Sequence, residues 1–172
     1  MTTVERVKRS FERSARAVSI SSKAGRGTAV TKARLADGLT CEVEEGPWRL
    51  TVDMAEKHGG SNRGPNAGVL GRAALGSCLA ITYALWAAKK DVPLTSLEVE
   101  VQADYDSRRL YGIGDGRAGY SAVRYVVRVE SPAPESEVLA MLDDADKSCA
   151  YLDVFANPCD VTREVEIKTT EG

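Results

Sequence analysis

The sequence predicts an antiparallel α+β domain wrapped around one long buried helix. Three observations carry this prediction. Residues 73–88, AALGSCLAITYALWAA, contain no charge in a chain that is 28% charged. Segments of alternating apolar and polar residues stand on both sides of that run. Strands and helices are not strictly interleaved, which argues against a doubly wound parallel sheet. With 172 residues the chain has the length of about one domain and can bury a sizeable core.

The elements follow in order. Thr2 followed by Glu5 has the form of a capping box, and Val4, Val7, Phe11 and Ala15 recur at helical spacing, so residues 3–17 are predicted as an amphipathic helix. Its Lys8, Arg9, Arg13 and Arg16 form a solvated face or a partner surface. From about residue 28 the period becomes alternating. Asp37 and Gly38 separate ARLA from LTCEVEE as a two-residue hairpin turn, and Gly46 and Pro47 turn the chain into WRLTVD. Leu39, Cys41 and Val43 share one face of the second strand, and Trp48, Leu50 and Val52 one face of the third.

KHGGSNRGPNAG reads as a loop, followed by the central helix from about Ala67 to Lys90, which Pro93 closes. In LEVEVQADYD, Leu97, Val99, Val101, Ala103 and Tyr105 are expected inward and Glu98, Glu100, Gln102 and Asp104 outward. After a Gly-rich loop, VRYVVRVE supplies a partner strand with Val123, Tyr125, Val127 and Val129 on one face. Pro132 and Pro134 introduce a second core helix whose stripe of Val138, Leu142, Ala145 and Cys149 places Cys149 on its buried side. Pro158 ends that segment, and VTREVEIK is expected as a final strand. One side of the central helix carries Leu75, Cys78, Leu79, Thr82, Tyr83 and Trp86, and Ala74, Ile81, Ala84, Leu85 and Ala88 cover much of the rest. A helix apolar nearly all round must be buried on all sides. One sheet of about six strands covers only one side, so a second subunit is expected on the other. The expected organisation is an N-terminal helical extension, 1–20, and a single domain, 21–172.

A net charge of -2 without charge blocks or low-complexity tracts gives no electrostatic case for nucleic acid or a membrane surface. The uncharged run is short for a membrane span and includes Gly76, Ser77 and Thr82. The N-terminus is basic and Ser-rich, but it has Glu5 and Glu12 and lacks the apolar core of a secretory signal. The expected location is cytoplasmic, where the four cysteines are reduced at rest and any disulfide is transient.

Those cysteines, Cys41, Cys78, Cys149 and Cys159, form no CxxC pair, and His58 is the only histidine, so neither a structural zinc site nor a Cys–His hydrolase is supported. His58, beside Gly59 and Gly60, reads as a loop residue. A free cysteine is ordinarily a small buried side chain, and Cys41 and Cys159 are taken as structural on that ground. Cys78 has two readings, a core thiol or a reactive one. Gly76 and Ser77 are poor helix-interior residues, Gly costing about 1 kcal/mol relative to Ala, and their small size permits close approach of another backbone or a small substrate. A reactive thiolate there would need a cation from elsewhere in the fold, because Cys78 lies about three turns into the helix, beyond reach of the dipole at its start.

GPNAGVLGRAALGSCLAITYALWAAKKDVPLTSLEVEVQADYD resembles the central segment of the OsmC/Ohr family of osmotically inducible and organic hydroperoxide resistance proteins. The matching parts are the loop Gly64 to Asn66, the helix through AALGSC, the strand Leu97 to Val101, and a later helical segment carrying Cys149. The resemblance extends over roughly residues 28–168. It implies an intertwined homodimer with the Cys-bearing helices at its centre, acting on organic hydroperoxides without a cofactor. By carry-over, Cys78 would be the peroxidatic thiolate and Cys149 the resolving thiol, a dithiol reductant restoring both. The sequence also departs from the family. Gly68 stands where the peroxidases have a glutamate that positions an arginine over the thiolate, Ala67 replaces the loop proline, and Ala150 follows Cys149 in place of proline. Arg34, Arg49 and Arg63 are the candidate arginines. The departures leave open an alternative, a dimeric binding protein of this fold that is non-catalytic or acts on another substrate.

Overall fold

Asn66 begins the central helix: its side chain accepts the Val69 N–H at 3.0 Å, satisfying one of the donors that a helix start leaves unpaired. In the computed structural model, which describes residues 1–169, this helix, α2, runs from Ala67 to Lys90. It is long and apolar enough for a membrane span by composition alone, but its neighbours make it a core helix. The other helices are α1 (Thr3–Ile20), α3 (Glu135–Asp146) and α4 (Ala150–Ala156). The strands are β1 (Lys32–Asp37), β2 (Thr40–Glu45), β3 (Trp48–Val52), β4 (Ser96–Asp104) and β5 (Ala122–Glu130).

Two separate antiparallel sheets form, β1-β2-β3 and β4-β5, where the sequence pattern pointed to one sheet of about six strands. The β1–β2 hairpin is there, but its two-residue turn is Gly38-Leu39, one position on from the expected Asp-Gly pair: Asp37 stays on β1 opposite Thr40, Gly38 supplies the positive φ of +55°, and Leu39 is exposed in the turn rather than on the face of β2. The β4–β5 ladder pairs Leu97 with Val129, Val99 with Val127 and Val101 with Tyr125, which sets both apolar rows against α2. The opposite face carries cross-strand ion pairs, Arg124 with Asp104 and Arg128 with Glu98 and Glu100. Exposed pairs of this kind contribute about 0–1 kcal/mol each, so the apolar face holds the hairpin in place.

The core is α2 and what covers it. Leu75, Leu79 and Tyr83 are buried with Ala145 and Cys149 against the β4–β5 face, and Met141 of α3 packs with Ala87 and Val92 at the far end of α2. Burial of each large side chain here contributes about 2 kcal/mol. α1 lies over the end of α2: the Phe11 ring meets Trp86 edge-on with centroids 6.4 Å apart, Lys89 Nζ sits 3.6 Å from the Trp86 ring centre, and Lys8 binds Asp91 at 2.6 Å. Of the apolar stripe read on α1, Val7 and Phe11 are covered, whereas Val4 and Ala15 remain exposed.

Three expectations need correction. VTREVEIK forms no strand, because its alternating residues meet no strand edge of their own chain, and Val161, Val165 and Ile167 are exposed. Tyr105 lies just past the end of β4 and is exposed rather than inward. The helix read through Cys149 is two helices: α3 ends at Asp146 and Cys149 caps the start of α4, although Cys149 is still buried.

The loop before α2 is organised by one carboxylate. Buried Asp53 accepts the Thr40 hydroxyl at 3.1 Å and the backbone N–H groups of Met54, Ser61 and Arg63 at 2.7, 3.2 and 3.1 Å. Burial by itself raises its pKa, but these donors together outweigh it and hold the carboxyl below the usual carboxylate range. A carboxyl whose pKa is depressed by folding stabilises the fold fully above its unfolded value, near 3.8, and loses that contribution as pH falls through the folded value. Thermal melts between pH 7 and pH 2 should therefore show an acid-dependent loss that Asp53→Asn reduces, the variant being less stable than the parent at neutral pH.

Candidate functional site

Two cysteines 71 positions apart in sequence meet over the α2–β4 contact. Cys78 lies in the middle of α2, and Gly76 lets that turn settle on β4: a Cβ at position 76 would sit 3.2 Å from Val101 Cγ2. Of the two roles read for the small residues, close backbone approach is the one this packing uses. Cys149 is brought in from the other side, where α3 ends and a short turn, with Ser148 N–H to Ala145 O at 2.9 Å and Cys149 N–H to Asp146 O at 3.2 Å, starts α4.

The Cys149 thiol donates to the Cys78 sulfur across 3.5 Å. Cys78 is half-buried and therefore reachable, whereas Cys149 is 2% exposed. Burial pushes the Cys149 thiol up; the Leu152 N–H opposes that rise, the neighbouring Cys78 adds to it, and the Thr82 hydroxyl opposes it again. Thr82, one turn beyond Cys78 on the same helix face, is itself buried. The pair thus divides into an accessible sulfur and an enclosed one, as an attacking and a resolving thiol would.

A second polar cluster adjoins the pair. Tyr83 of α2 and Tyr125 of β5 donate their hydroxyls to the two oxygens of Asp146, at 2.6 and 3.0 Å. Burial pushes the Tyr83 phenol far up, and its bond to the carboxylate adds to the rise; Tyr125 is raised by the same causes in the same order. Both phenols are protonated donors at neutral pH. Asp146 went unrecognised in the sequence because it is one of several acids in LDDADKS, although Tyr83 and Tyr125 were placed on inward faces.

None of the candidate arginines bonds a cysteine. Arg34 and Arg49 both pair with Glu44, at 3.1 and 3.4 Å, on the three-stranded sheet, and Arg63 gives its backbone N–H to Asp53. Among the described residues, Cys149 is the hydrogen-bond partner of the Cys78 sulfur. Near position 68 the cation is Arg72, which donates to the Tyr120 hydroxyl at 3.1 Å while that hydroxyl donates to Gly68 O at 3.0 Å. A Cβ on Gly68 would stand 3.4 Å from the Arg72 guanidinium, so a side chain there would enter ground that Arg72 and Tyr120 occupy.

The remaining sequence candidates lie elsewhere. Cys41 is half-buried on β2 opposite Val52, Cys159 is exposed rather than packed, and His58, expected in plain loop, ends the single 3-10 turn Glu56–His58 with Nδ1 3.4 Å from the Tyr111 hydroxyl. Among the described residues no group of three or more His, Cys, Asp or Glu side chains is placed to hold a metal ion. A surface depression on the three-stranded sheet by Lys32, Glu44 and Arg49 and another in the 106–117 loop have no cysteine in their lining.

The family model for OsmC-like protein matches residues 59–164. Among solved structures, an OsmC-like protein from Mycoplasma pneumoniae superposes with a TM-score of 0.67 at 19% identity, covering 77% of this chain and 89% of its own. An organic hydroperoxide resistance protein OsmC from Legionella pneumophila, described as a predicted redox protein, gives 0.54 at 16% identity, covering 75% and 89%. One from Vibrio cholerae, described as a putative organic hydroperoxide resistance protein with captopril in one active site, gives 0.56 at 14%, covering 77% and 86%. No curated protein matches the sequence significantly.

Reactivity should follow the geometry. With an alkylating reagent at pH 7, peptide mass spectrometry should find Cys149 the slowest of the four cysteines to label. Its rate should rise towards that of Cys78 as pH increases or once the protein is unfolded, since the thiolate fraction of a group with a raised pKa appears only at higher pH.

Proposed function

The chain belongs to the OsmC-like family, and from that premise we propose that it is a thiol-dependent peroxidase reducing organic hydroperoxides through Cys78 and Cys149. The observation that carries the reading is the 3.5 Å separation of an accessible sulfur and an enclosed one. The Cys78 thiolate attacks one oxygen of the hydroperoxide; an S–O bond forms as the O–O bond breaks, and the departing alkoxide takes a proton to leave as the alcohol. Cys149 then attacks the Cys78 sulfenic acid. The S–S bond forms, the S–O bond breaks, and the oxygen leaves as water with the proton given up by Cys149. A disulfide needs its sulfurs about 2.05 Å apart, so the pair has to close by about 1.5 Å. A dithiol reductant returns both thiols by exchange. This reading places the protein in the cytoplasm, with residues 1–20 an extension to a single domain over 21–172, and gives it neither a membrane nor a nucleic-acid partner.

A specific observation favours a second reading, a binding protein of the same fold without peroxidase activity or with another substrate: Gly68 offers no carboxylate, Arg34 and Arg49 are paired with Glu44, and Arg63 bonds Asp53 only through its backbone N–H. Reduced protein mixed with cumene hydroperoxide decides between them. The peroxidase consumes the hydroperoxide and forms a Cys78–Cys149 disulfide; Cys78→Ser abolishes both, and Cys149→Ser stops at a sulfenic acid trapped by dimedone. If hydroperoxide is not consumed, or Cys78→Ser is as active as the parent, the second reading holds.

The working unit is a homodimer. One face of the β1-β2-β3 sheet leaves Leu35 72% and Leu50 51% exposed, and Ile81 on α2 is 62% exposed, apolar surface that a second copy of the chain would cover. Sedimentation should give twice the chain mass of 18.5 kDa, and Leu50→Glu or Ile81→Glu should shift the protein towards monomer.

A further inference from the structure

We infer that Asp146, gripped by the hydroxyls of Tyr83 and Tyr125, is a positioning residue that holds Cys149 at striking distance from Cys78. This rests on the peroxidase reading and adds to it a residue outside the thiol pair.

The geometry comes first. Cys149 lies between α3 and α4: it follows the end of α3 by a turn of Lys147 and Ser148, whose backbone and side-chain hydrogen bonds all run back to α3 itself, to Ala145, Asp146 and Asp144. Its thiol is nevertheless held 3.5 Å from that of Cys78. Asp146, the last residue of α3, ties that turn to other elements. One carboxylate oxygen binds Tyr83, on α2 five residues beyond Cys78, and the other binds Tyr125, which pairs with Val101 on the strand beneath that part of α2. The turn that carries one sulfur is thus tied to the helix that carries the other and to the sheet both rest on. Tyr83 is 1% exposed, so its hydroxyl has no water to fall back on, and hydroxyl-to-carboxylate bonds are among the stronger ones in proteins.

The chemistry gives the anchor its consequence. Attack of Cys149 on a Cys78 sulfenic acid is an intramolecular displacement whose rate depends on orientation, and a misplacement of 1 Å can slow such a step about 100-fold. The first step, thiolate on hydroperoxide, makes and breaks its bonds at Cys78, and displacing Cys149 costs it no more than the weak thiol hydrogen bond to that sulfur. A positioning role therefore slows the second step selectively, whereas a general brace would slow both or merely lower the melting temperature.

The test measures the two steps separately on the full chain, with cumene hydroperoxide as oxidant, dimedone trapping the sulfenic acid and mass spectrometry following the disulfide. In Asp146→Ala the sulfenic acid should form within about twofold of the parental rate, and its conversion to disulfide should slow about tenfold or more. Tyr125→Phe, which keeps the Tyr83 bond, should show a smaller selective loss and serves as the readout if Asp146→Ala does not fold. Disulfide formation at the parental rate in either folded variant, or slowing of both steps by one common factor, would overturn the inference. Diamide separates it from the reading beneath it, since diamide takes two electrons from a dithiol, leaving as its hydrazine, and closes the disulfide without peroxide. If the parent ignores hydroperoxide but diamide closes its disulfide about tenfold faster than that of Asp146→Ala, the peroxidase reading falls and the positioning of Cys149 stands. Equal diamide rates in parent and variant would overturn the positioning whatever the hydroperoxide does.

Discussion

Burying α2 is the constraint on which the rest of the structure depends. Twenty-four residues with apolar side chains on almost every side cannot stand in water, and each neighbouring element takes one sector of that surface. The β4–β5 pair meets it through Val99 and Val101, where Gly76 lets the strand come close, α3 adds Met141 and Ala145, α4 closes beside them, and α1 covers Trp86 with Phe11. The sector around Ile81 is left to solvent within a single chain, and the apolar face of the three-stranded sheet is left in the same state. Cys78 and Cys149 meet because both lie on surfaces that this burial presses together.

Two carboxylates then determine where irregular backbone lies around that core. Asp53 gathers a hydroxyl and three backbone N–H groups and so holds the loop that delivers the chain to Asn66 and the start of α2. Asp146 works in the opposite direction, accepting from side chains of two other elements and thereby fastening the turn between α3 and α4. At Asp53 the donors converge on a carboxylate removed from water, and at Asp146 the carboxylate is half-buried while its partner Tyr83 is enclosed, so that in either place a missing partner would leave a buried polar group unpaired. The first carboxylate shapes the approach to Cys78, the second the approach of Cys149.

Much of this was legible before any fold was known. Alternation in LEVEVQAD and VRYVVRVE named the inward residues of β4 and β5, and the glycine after Asp37 marked the first hairpin to within one residue, because period and turn chemistry are properties of adjacent residues. The thiol pair was legible only through a motif, AALGSC, and a resemblance extending past it. The pattern failed where the outcome depends on a partner far along the chain. VTREVEIK alternates as a strand should, yet a strand needs an edge to join, and none of its own chain is there. The stripe through Cys149 was read as one helix, although the chain breaks after Asp146, where no glycine or proline announces a stop.

The sequence by itself determined most of the elements, their order and the apolar surface of α2, because each is set by residues within a turn or two of one another, while the two cysteines stood out through the family resemblance around AALGSC. The tertiary structure decided that Cys78 and Cys149 lie 3.5 Å apart, that one is reachable and the other enclosed, and that Asp146 binds two phenols from elements on either side of it. It also decided that Arg34 and Arg49 serve a glutamate on the sheet rather than a thiol. The physical reason is one of range. Periodicity and capping act over a few residues, whereas a distance between side chains 71 positions apart exists only once packing has brought their elements together.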